Sequence, residues 1–320
     1  MSIGRTFDVL AVGELNPDLI LSGIHADGPA PGTEQLFDDE ILALGSSTAI
    51  ACVLMQRLGL STAFCGLIGD DTHGRFCVDT LDAEGVNRTA VQVTPDGATG
   101  ITVSVSYPTD RLLLTRPGTM TQFNAAHVDT ALLARSRHLH VGSYFLQTGL
   151  RPGLAGLFAA ARAAGCSTSL DFGWDPSGQW DRTGLADVLA LTDVVLPNRD
   201  ELRAVTGQAD IDAGLAALHD LGAREIALKL GKDGGSMSLA GTPPIRRAGH
   251  VVDVVDTTGA GDAFNAGYLA ARLEGWLAED RLRLANACGA LTAAARGGTG
   301  GLHNRAQALD LAGLDPNTRR

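Results

Sequence analysis

Residues Asp256–Ala270 read DTTGAGDAFNAGYLA, and this stretch decides the fold class of the chain. The β-branched run Val251–Val255 precedes it and predicts a buried strand. Small residues then recur on one helical face, so the segment predicts a strand, a glycine turn and a helix. The turn, Gly259-Ala260-Gly261, lies at the helix N-terminus. Free backbone N–H groups and the positive end of the helix dipole can hold phosphate oxygens there.

A carboxylate, Asp262, directly follows this turn. A base beside a group of anion-binding N–H donors can help to transfer a phosphoryl group onto a hydroxyl. The same residues are also compatible with a purely structural glycine turn that has a charged residue at the helix terminus. A dinucleotide-binding turn would need a third glycine where Phe264 stands. A triphosphatase phosphate loop would need Lys-Ser or Lys-Thr after its last glycine, and the chain has no such spacing.

The segment Asp256–Ala270 resembles the C-terminal signature of the ribokinase-like (PfkB) family of carbohydrate and nucleoside kinases, and the resemblance covers nearly the whole chain. It implies an α/β fold, a three-layer α/β/α arrangement with a mostly parallel central sheet and a small β-sheet lid. It implies one kinase domain over residues 1–320, with lid strands inserted from about 14–40 and 98–118. Strands that alternate with helical patterns from Phe7 to Ala295 predict the same three layers.

Composition limits the function. Hydrophobic residues make up 45% of the 320 residues, which is ample for a large core. A net charge of −11 without a basic run argues against a nucleic-acid partner. Five cysteines form no Cys-x-x-Cys pair, which indicates reduced thiols. Neither a signal peptide nor a run of membrane-spanning length is recognisable, so we expect a soluble cytoplasmic protein without a membrane partner.

A polar loop, Glu14–Asp18, follows the predicted strand Phe7–Val12, at the place where open α/β sheets bind ligands. A local turn around the proline explains the loop equally well. In the family, an Asp at the position of Asp18 holds sugar hydroxyls. The resemblance therefore puts Asn16 and Asp18 on the acceptor side.

A second acceptor-side segment, Gly45, Ser46 and Ser47, leads into an apolar helix. It should present hydrogen-bond donors to a polar substrate. Family members usually have a second glycine at Ser46 and often Asn at Ile50, so one sugar contact of the family is missing here.

A polar and apolar alternation over Thr99–Ser106, with a return at Arg111–Thr115, predicts a two-stranded ribbon. With strands near Leu19 and Gln35 it can form a small antiparallel sheet, which in the family is the lid over the sugar. The ribbon has one apolar face and exposed edges, so we expect homodimers whose lids pack together. Arg111 and Arg116 on the ribbon are the cations that could reach an acceptor phosphate.

On the nucleotide side, Asn198 and Glu201 follow a short predicted strand. They are spaced as a helix N-cap and its capping box. In the family the same Asn-x-x-Glu motif orders water-bound Mg²⁺ and the phosphates of ATP. The two roles are compatible, since cap residues lie where the phosphates arrive.

The strand Glu225–Leu230 runs into a glycine loop that in relatives touches ATP, and Gly231 and Gly234 allow a close backbone approach. Lys229, where relatives often have Thr or Ser, either pairs with a phosphate or is an edge-strand lysine. Asn286 matches the family's adenine-side position. In some relatives K⁺ is held near residues like Asp256 and Thr258.

Two further motifs give weaker evidence of function. His138 and His140 share one face of a predicted strand, but no third metal ligand stands at convincing spacing. Asp171-Phe172-Gly173 spells a protein-kinase triplet without its companion motifs. The longer stretch Asp171–Pro176 resembles the family segment that closes part of the substrate cleft.

The sequence thus predicts ATP- and Mg²⁺-dependent phosphorylation of a small unphosphorylated sugar, with Asp262 as general base. A nucleoside kinase would share this machinery, with Phe145 and Trp174 as candidates for a base-binding slot. A non-catalytic sensor would keep the pockets without the base, and the presence of Asp262 argues against it.

Overall fold

The computed structural model describes residues 5–107 and 111–315. Within these residues the strands form a nine-stranded and a four-stranded sheet. The nine-stranded sheet has the order β13-β12-β11-β10-β9-β8-β1-β4-β5. Its strands are β1 (Phe7–Val12), β4 (Thr62–Gly69), β5 (Asn87–Thr94), β8 (Ser136–Val141), β9 (Ser167–Leu170), β10 (Val194–Val195), β11 (Glu225–Lys229), β12 (Gly235–Leu239) and β13 (Ile245–Arg247).

The helices of the described residues follow the strands in the alternation that the sequence predicts. They are α1 (Ser47–Arg57), α2 (Thr72–Ala83), α3 (Ala131–Ala134), α4 (Leu154–Ala163), α5 (Leu185–Ala190), α6 (Arg199–Thr206), α7 (Ile211–Asp220), α8 (Ala260–Leu273), α9 (Ala278–Ala293) and α10 (Arg305–Ala312).

Strand β1 contacts a different hydrophobic cluster on each face of the large sheet. Leu10 and Val12 pack into the cluster that holds α4 to α7, whereas Val9 packs into the cluster that holds α8 to α10. Successive residues of a strand point to opposite faces, so both faces of the sheet are covered by helices. From β11 across to β5 in this order the neighbouring strands pair in parallel, and β12 pairs antiparallel with both β11 and β13. The predicted three-layer α/β/α architecture is confirmed.

The lid is the four-stranded sheet, in the order β3-β2-β6-β7. It consists of β2 (Pro17–Ser22), β3 (Asp39–Leu44), β6 (Ile101–Ser106) and β7 (Arg111–Arg116). The expected antiparallel sheet with a strand near Gln35 is wrong in two respects. β2 and β6 run parallel, since each follows the carboxyl end of a parallel strand of the large sheet, β1 or β5. β3 begins only at Asp39, after a loop rich in Pro and Gly.

The polar face of the lid points inward. The hydroxyls of Thr102 and Thr115 lie 3.0 Å apart on one face, and the register places Asp18 beside Thr102. Ile20 belongs to the same face, and it approaches Gly297 of the body. The apolar residues of β6 therefore face outward. Arg116 follows Thr115 on the opposite face, and its guanidinium donates to Thr99 O at 2.9 Å.

The predicted strand at Val251–Val255 is not present. This run is an irregular segment outside both sheets, and Val251 is fully exposed. It is tied to the body by the N–H groups of Val255 and Asp256, which donate to Ala293 O. A β-branched run favours extended backbone, but here no neighbouring strand is available to pair with it.

All five cysteines are free and buried. No helix among the described residues is long and apolar enough to cross a membrane. The turn at 108–110 and the tail at 317–320 fall outside the described residues, and so does the side chain of Arg111.

Candidate active site

The turn Gly259-Ala260-Gly261 opens helix α8 as the sequence predicts. Gly259 has φ +72°, and a Cβ at this position would overlap Gly298, so glycine is required for both reasons. A glycine N-cap offers no side chain to the first N–H groups of the helix. The Ala260 N–H makes only a long bond of 3.3 Å to Thr257 O. The turn is therefore open to an anion.

Asp262 is the third residue of α8, and only 9% of it is exposed. Burial raises the pKa of its carboxyl to about 8, and the nearby Asp171 carboxylate adds to the rise. Lys229 and a hydrogen bond from the Ser47 hydroxyl act in the opposite direction. A carboxyl with a pKa near the working pH is suited to accept a proton.

The acceptor-side residues predicted from the sequence lie together. Gly45 N donates to Asn16 O, and Asn16 N donates to the Ser46 hydroxyl, both at 2.9 Å. A Cβ at Gly45 would overlap the carboxylate of Asp18. Because Ser47 reaches Asp262, this group of residues is directly connected to the N-terminus of α8.

Ser46 has φ +69° and ψ 116°, a conformation that suits glycine. This explains why the family pattern has a second glycine at this position. The strain is partly offset by the hydrogen bond that the Ser46 hydroxyl accepts from Asn16 N.

The carboxylate of Glu14 is a member of the site that the sequence did not single out. It is buried and accepts from Thr48 N at 3.2 Å and from the Thr48 hydroxyl at 2.7 Å. Burial raises its pKa. Its charge also raises the pKa of Asp262, so the two carboxyls are close. The sequence feature that could have identified Glu14 is its position directly after the end of β1.

Lys229 is buried at the end of β11, and its Nζ lies 2.5 Å from Asp171 Oδ2. Burial alone would raise the pKa of Asp171, but the Lys229 ammonium lowers it below the ordinary value. Burial disfavours the charged form of Lys229, yet the carboxylates of Asp171 and Glu201 raise its pKa. Since β11 lies between β10 and β12, the edge-strand interpretation of Lys229 is wrong.

Asp171 follows the end of β9, and its partners come from distant segments. Asn265 Nδ2 donates to the same oxygen as Lys229, and Gly173 N donates to the other oxygen at 2.9 Å. The sequence placed Asp171 only in a segment that closes the cleft, and it did not indicate Asn265.

Asn198 and Glu201 form the predicted capping box of α6. Asn198 Oδ1 accepts from the N–H groups of Asp200 and Glu201, and Glu201 Oε2 accepts from Asn198 N at 2.8 Å. Glu201 Oε1 accepts from Asn198 Nδ2 at 2.7 Å. Burial and the charge of Asp171 raise the pKa of Glu201 to about 7.

The remaining nucleotide-side residues surround the loop after β11. Gly231 has φ +62° with open space around it, and Gly234 has φ +93° against the backbone of Arg247. Asn286 Nδ2 donates to Arg247 O at 3.1 Å and to Ala248 O at 3.0 Å. Gly234 and Asn286 thus both contact the segment Arg247–Ala248. Gly231 faces open space.

Asp256 ties two loops together. Its Oδ1 accepts from Thr258 N and its Oδ2 accepts from Gly297 N, both at 2.9 Å. The adjoining loop is packed on two sides. Gly297 approaches the lid at Ile20, and Gly298 packs against Gly259 of the anion turn.

His138 and His140 share a face of β8, as predicted, but they are buried and hydrogen-bonded to serines of β9. No group of three or more His, Cys, Asp and Glu side chains within residues 5–107 and 111–315 is arranged to hold a metal ion.

Comparison with known proteins identifies the family. The family model described as "pfkB family carbohydrate kinase" matches residues 8–305. The chain belongs to this family. The enzyme is therefore a carbohydrate kinase, a phosphotransferase with an alcohol group as acceptor.

Relatives of this kinase carry different substrate names. It is 30% identical to an ATP-dependent ribose-1-phosphate kinase of Halopiger xanaduensis, over 90% of this chain and 93% of the relative. It is 30% identical to a probable fructokinase of Arabidopsis thaliana, over 80% of this chain and 79% of the relative. A putative ribokinase II of E. coli, solved with ATP and Mg²⁺, superposes with a TM-score of 0.83 at 24% identity, over 95% of this chain and 98% of that one.

Proposed function

We propose that this kinase transfers the γ-phosphoryl group of ATP to a hydroxyl of an unphosphorylated sugar, and that Asp262 is the general base. One observation carries the proposal. A buried carboxylate of raised pKa, Asp262, lies directly behind an uncapped helix N-terminus and beside Ser47 of the acceptor side, which acts on its pKa. A base and an anion hole in contact with the acceptor pocket are what hydroxyl phosphorylation needs.

In the proposed reaction the acceptor hydroxyl oxygen attacks the γ-phosphorus while its proton passes to Asp262. The bond from phosphorus to the β–γ bridging oxygen breaks, and ADP leaves. The backbone N–H groups of Gly259, Ala260 and Gly261 stabilise negative charge on the transferring group. Lys229, beside Gly261, adds positive charge there, whereas the loop around Gly231 and Gly234 and the Asn286 side chain contact the nucleotide.

Mg²⁺ would be ordered by Asn198 and Glu201 through water. Both oxygens of Glu201 are already engaged in the capping box, so direct ligation would break those bonds. Mg²⁺ keeps several waters in nucleotide sites, so the pair fits an indirect role. When bound with ATP, the ion would neutralise charge on the β- and γ-phosphate oxygens.

K⁺ near Asp256 and Thr258 remains a separate proposal. The oxygens of Asp256 accept backbone N–H groups, so a cation there would rely mainly on carbonyl oxygens of the adjoining loops. Turnover measured in KCl and in tetramethylammonium chloride at equal ionic strength tests it.

The acceptor is proposed to be a neutral sugar held by Asp18, with Asn16, Gly45, Ser46 and Ser47 around it. The inner face of the lid at this point presents the hydroxyls of Thr102 and Thr115 beside Asp18. Arg116 lies on the other face. Carboxylates and hydroxyls suit a polyol, whereas a phosphate would need cations.

A sugar phosphate is the second candidate acceptor, because a relative that matches over most of both chains is named a ribose-1-phosphate kinase. A nucleoside is less well supported than the sequence suggested. Of the two residues proposed for a base slot, Phe145 is buried and only Trp174 is exposed, at 62%.

A panel of ATP turnover assays separates these acceptors. Ribose, fructose, ribose 1-phosphate and a nucleoside would be compared at equal concentrations. Preference for a free sugar supports the proposal, and a higher kcat/KM for ribose 1-phosphate would replace it with the second candidate.

We further propose that the enzyme is a homodimer that pairs through the lids. The outward face of the lid is apolar, and Leu114 on β7 and Leu42 on β3 are exposed there. An uncovered apolar sheet face favours a partner of the same kind.

A further inference from the structure

Lys229 is chemically unusual in this chain. The sequence has only two lysines, Lys229 and Lys232, and its other permanently charged basic side chains are arginines. An ammonium group is a compact point charge on a flexible stem, whereas a guanidinium is planar and larger. The buried position at the end of β11 is thus occupied by lysine, whose compact ammonium can change its ion-pair partner within a smaller space than a guanidinium needs.

The end of this side chain lies immediately behind the anion turn. A Cβ placed on Gly261 would be 3.5 Å from Lys229 Cδ and 3.8 Å from Lys229 Nζ. The ammonium also faces the carboxyls of Asp171, Glu201 and Asp262. Lys229 is therefore next to both the proposed base and the backbone that would hold the transferring group.

Asp171 does not depend on Lys229 to satisfy its oxygens. Oδ2 also accepts from Asn265 Nδ2, and Oδ1 accepts from Gly173 N at 2.9 Å. A buried carboxylate is costly when it has no donors. With these two donors in place, loss of the ammonium would leave Asp171 hydrogen-bonded.

We propose that Asp171 and Asn265 are positioning residues that hold Lys229 as a movable cation. The ammonium pairs with Asp171, and it moves to an oxygen of the transferring phosphoryl group when the nucleotide binds. This inference rests on the proposed function, because it requires a phosphoryl group at the Gly259–Gly261 turn. It assigns to Asp171 an action through Lys229 and not through contact with the substrate.

A buried ion pair is weak evidence for stability, since desolvation of the two charges offsets their attraction. A γ-phosphoryl group carries more negative charge than one carboxylate and arrives beside the ammonium. The exchange of partners leaves the Asp171 carboxylate hydrogen-bonded to Asn265 and Gly173, and it brings the cation to the place where negative charge is transferred.

The two lysines allow a direct test. In a Lys232→Arg protein labelled with ¹⁵N-lysine, one side-chain amine signal remains, and it belongs to Lys229. We expect this signal to shift when adenylyl imidodiphosphate and Mg²⁺ are added, and to shift less with ADP and Mg²⁺. An unchanged spectrum, or equal shifts with both nucleotides, would overturn the proposal. The cluster itself is intact in this protein, so the outcome does not depend on how cluster variants fold.

Kinetics test the positioning role. Lys229→Met should lower kcat by about 10²-fold, the usual cost of one donor to a transition-state anion. Asp171→Asn should lower it by ~10-fold or more with little change in KM for ATP. Above about pH 8, where Asp262 is ionised with or without the charge of Asp171, the double variant should be no slower than Lys229→Met alone, because Asp171 then acts only through the lysine. Losses of kcat that multiply in the double variant would show an independent role for Asp171.

Glu225→Gln is the matched control. Glu225 is a buried carboxylate at the opposite end of the same strand, where it pairs with Arg272. Its loss should lower stability without changing kcat. The kinetic and the NMR experiments also distinguish failure of this inference from failure of the proposed function. If no sugar is phosphorylated, the proposed function fails, whereas the resonance of Lys229 still reports whether the cation meets a γ-phosphoryl group.

Discussion

The Ser47 side chain lies beside the Asp262 carboxyl and lowers its pKa. Ser47 is the first residue of α1, and Asp262 lies in the first turn of α8. The N-termini of two helices from opposite ends of the chain thus meet at one carboxyl group. The acceptor side and the phosphate side of the site meet at this pair of residues.

Replacement of Asp262 by Asn should remove most turnover and leave ATP binding near normal. General bases contribute about 10²–10⁴-fold, and the amide cannot take the proton of the acceptor. Single-turnover assays and ATP titrations measure the two quantities. Asp253→Asn, at an exposed position in the preceding loop, is the control. A variant that keeps more than about a tenth of wild-type turnover would show that Asp262 is not the base.

The activity of the wild-type enzyme should rise with pH. Below about pH 8 the raised pKa keeps the Asp262 carboxyl of the free enzyme protonated, and a protonated carboxyl cannot accept the hydroxyl proton. We expect kcat/KM for the sugar to increase up to about pH 8 and then to level off. A pH profile of kcat/KM that is flat over roughly pH 5 to 9 would contradict this.

Two neighbours should move this profile in opposite directions. Ser47→Ala removes a hydrogen bond that favours the charged carboxylate, so the pKa of Asp262 and the acid limb move to higher pH. Glu14→Gln removes a like charge, so both move to lower pH. Shifts in the same direction would show that the profile reports a different group.

Asp18→Ala should weaken sugar binding selectively. Hydrogen bonds to a charged group contribute roughly 1.5–3 kcal/mol each, so KM for the sugar should rise by ~10-fold or more while KM for ATP changes little. Asp38→Ala, at an exposed position just before β3, is the control. Unchanged sugar affinity in Asp18→Ala would remove this residue from the acceptor site.

Two substitutions at Ser46 should differ in stability. Ser46→Ala keeps the unfavourable φ of +69° and loses the bond to Asn16 N, whereas Ser46→Gly relieves the strain. Such strain costs about 1–3 kcal/mol, so the glycine variant should be more stable than the alanine variant by about 1 kcal/mol or more. Urea denaturation measures the difference, and equal midpoints would argue against strain at this residue.

Leu114→Glu should convert the proposed dimer to monomers, because it places a charge in the apolar outer face of the lid. Leu277→Glu, at an exposed leucine before α9, should not. Light scattering at micromolar concentration checks both proteins. A wild-type enzyme that is monomeric and fully active would refute the dimer.

The sequence predicted best the site residues that stand at the beginning of a helix. Asn198 lies after the end of β10 and Gly259–Gly261 at the start of α8, as the local pattern indicated. The pair Lys229–Asp171 could not be predicted, because the two residues are 58 positions apart and meet only through the register of β9, β10 and β11. Val251–Val255 failed for a related reason, since extended backbone becomes a strand only beside a partner.

The loop after α9 has a consequence for the binding of the two substrates. Gly297 approaches the lid at Ile20, and Gly298 packs against Gly259. If the lid moves when it closes on the sugar, this loop transmits the movement to the anion turn. Thermodynamic reciprocity then requires the sugar to change the Kd of ATP by the same factor by which ATP changes the Kd of the sugar.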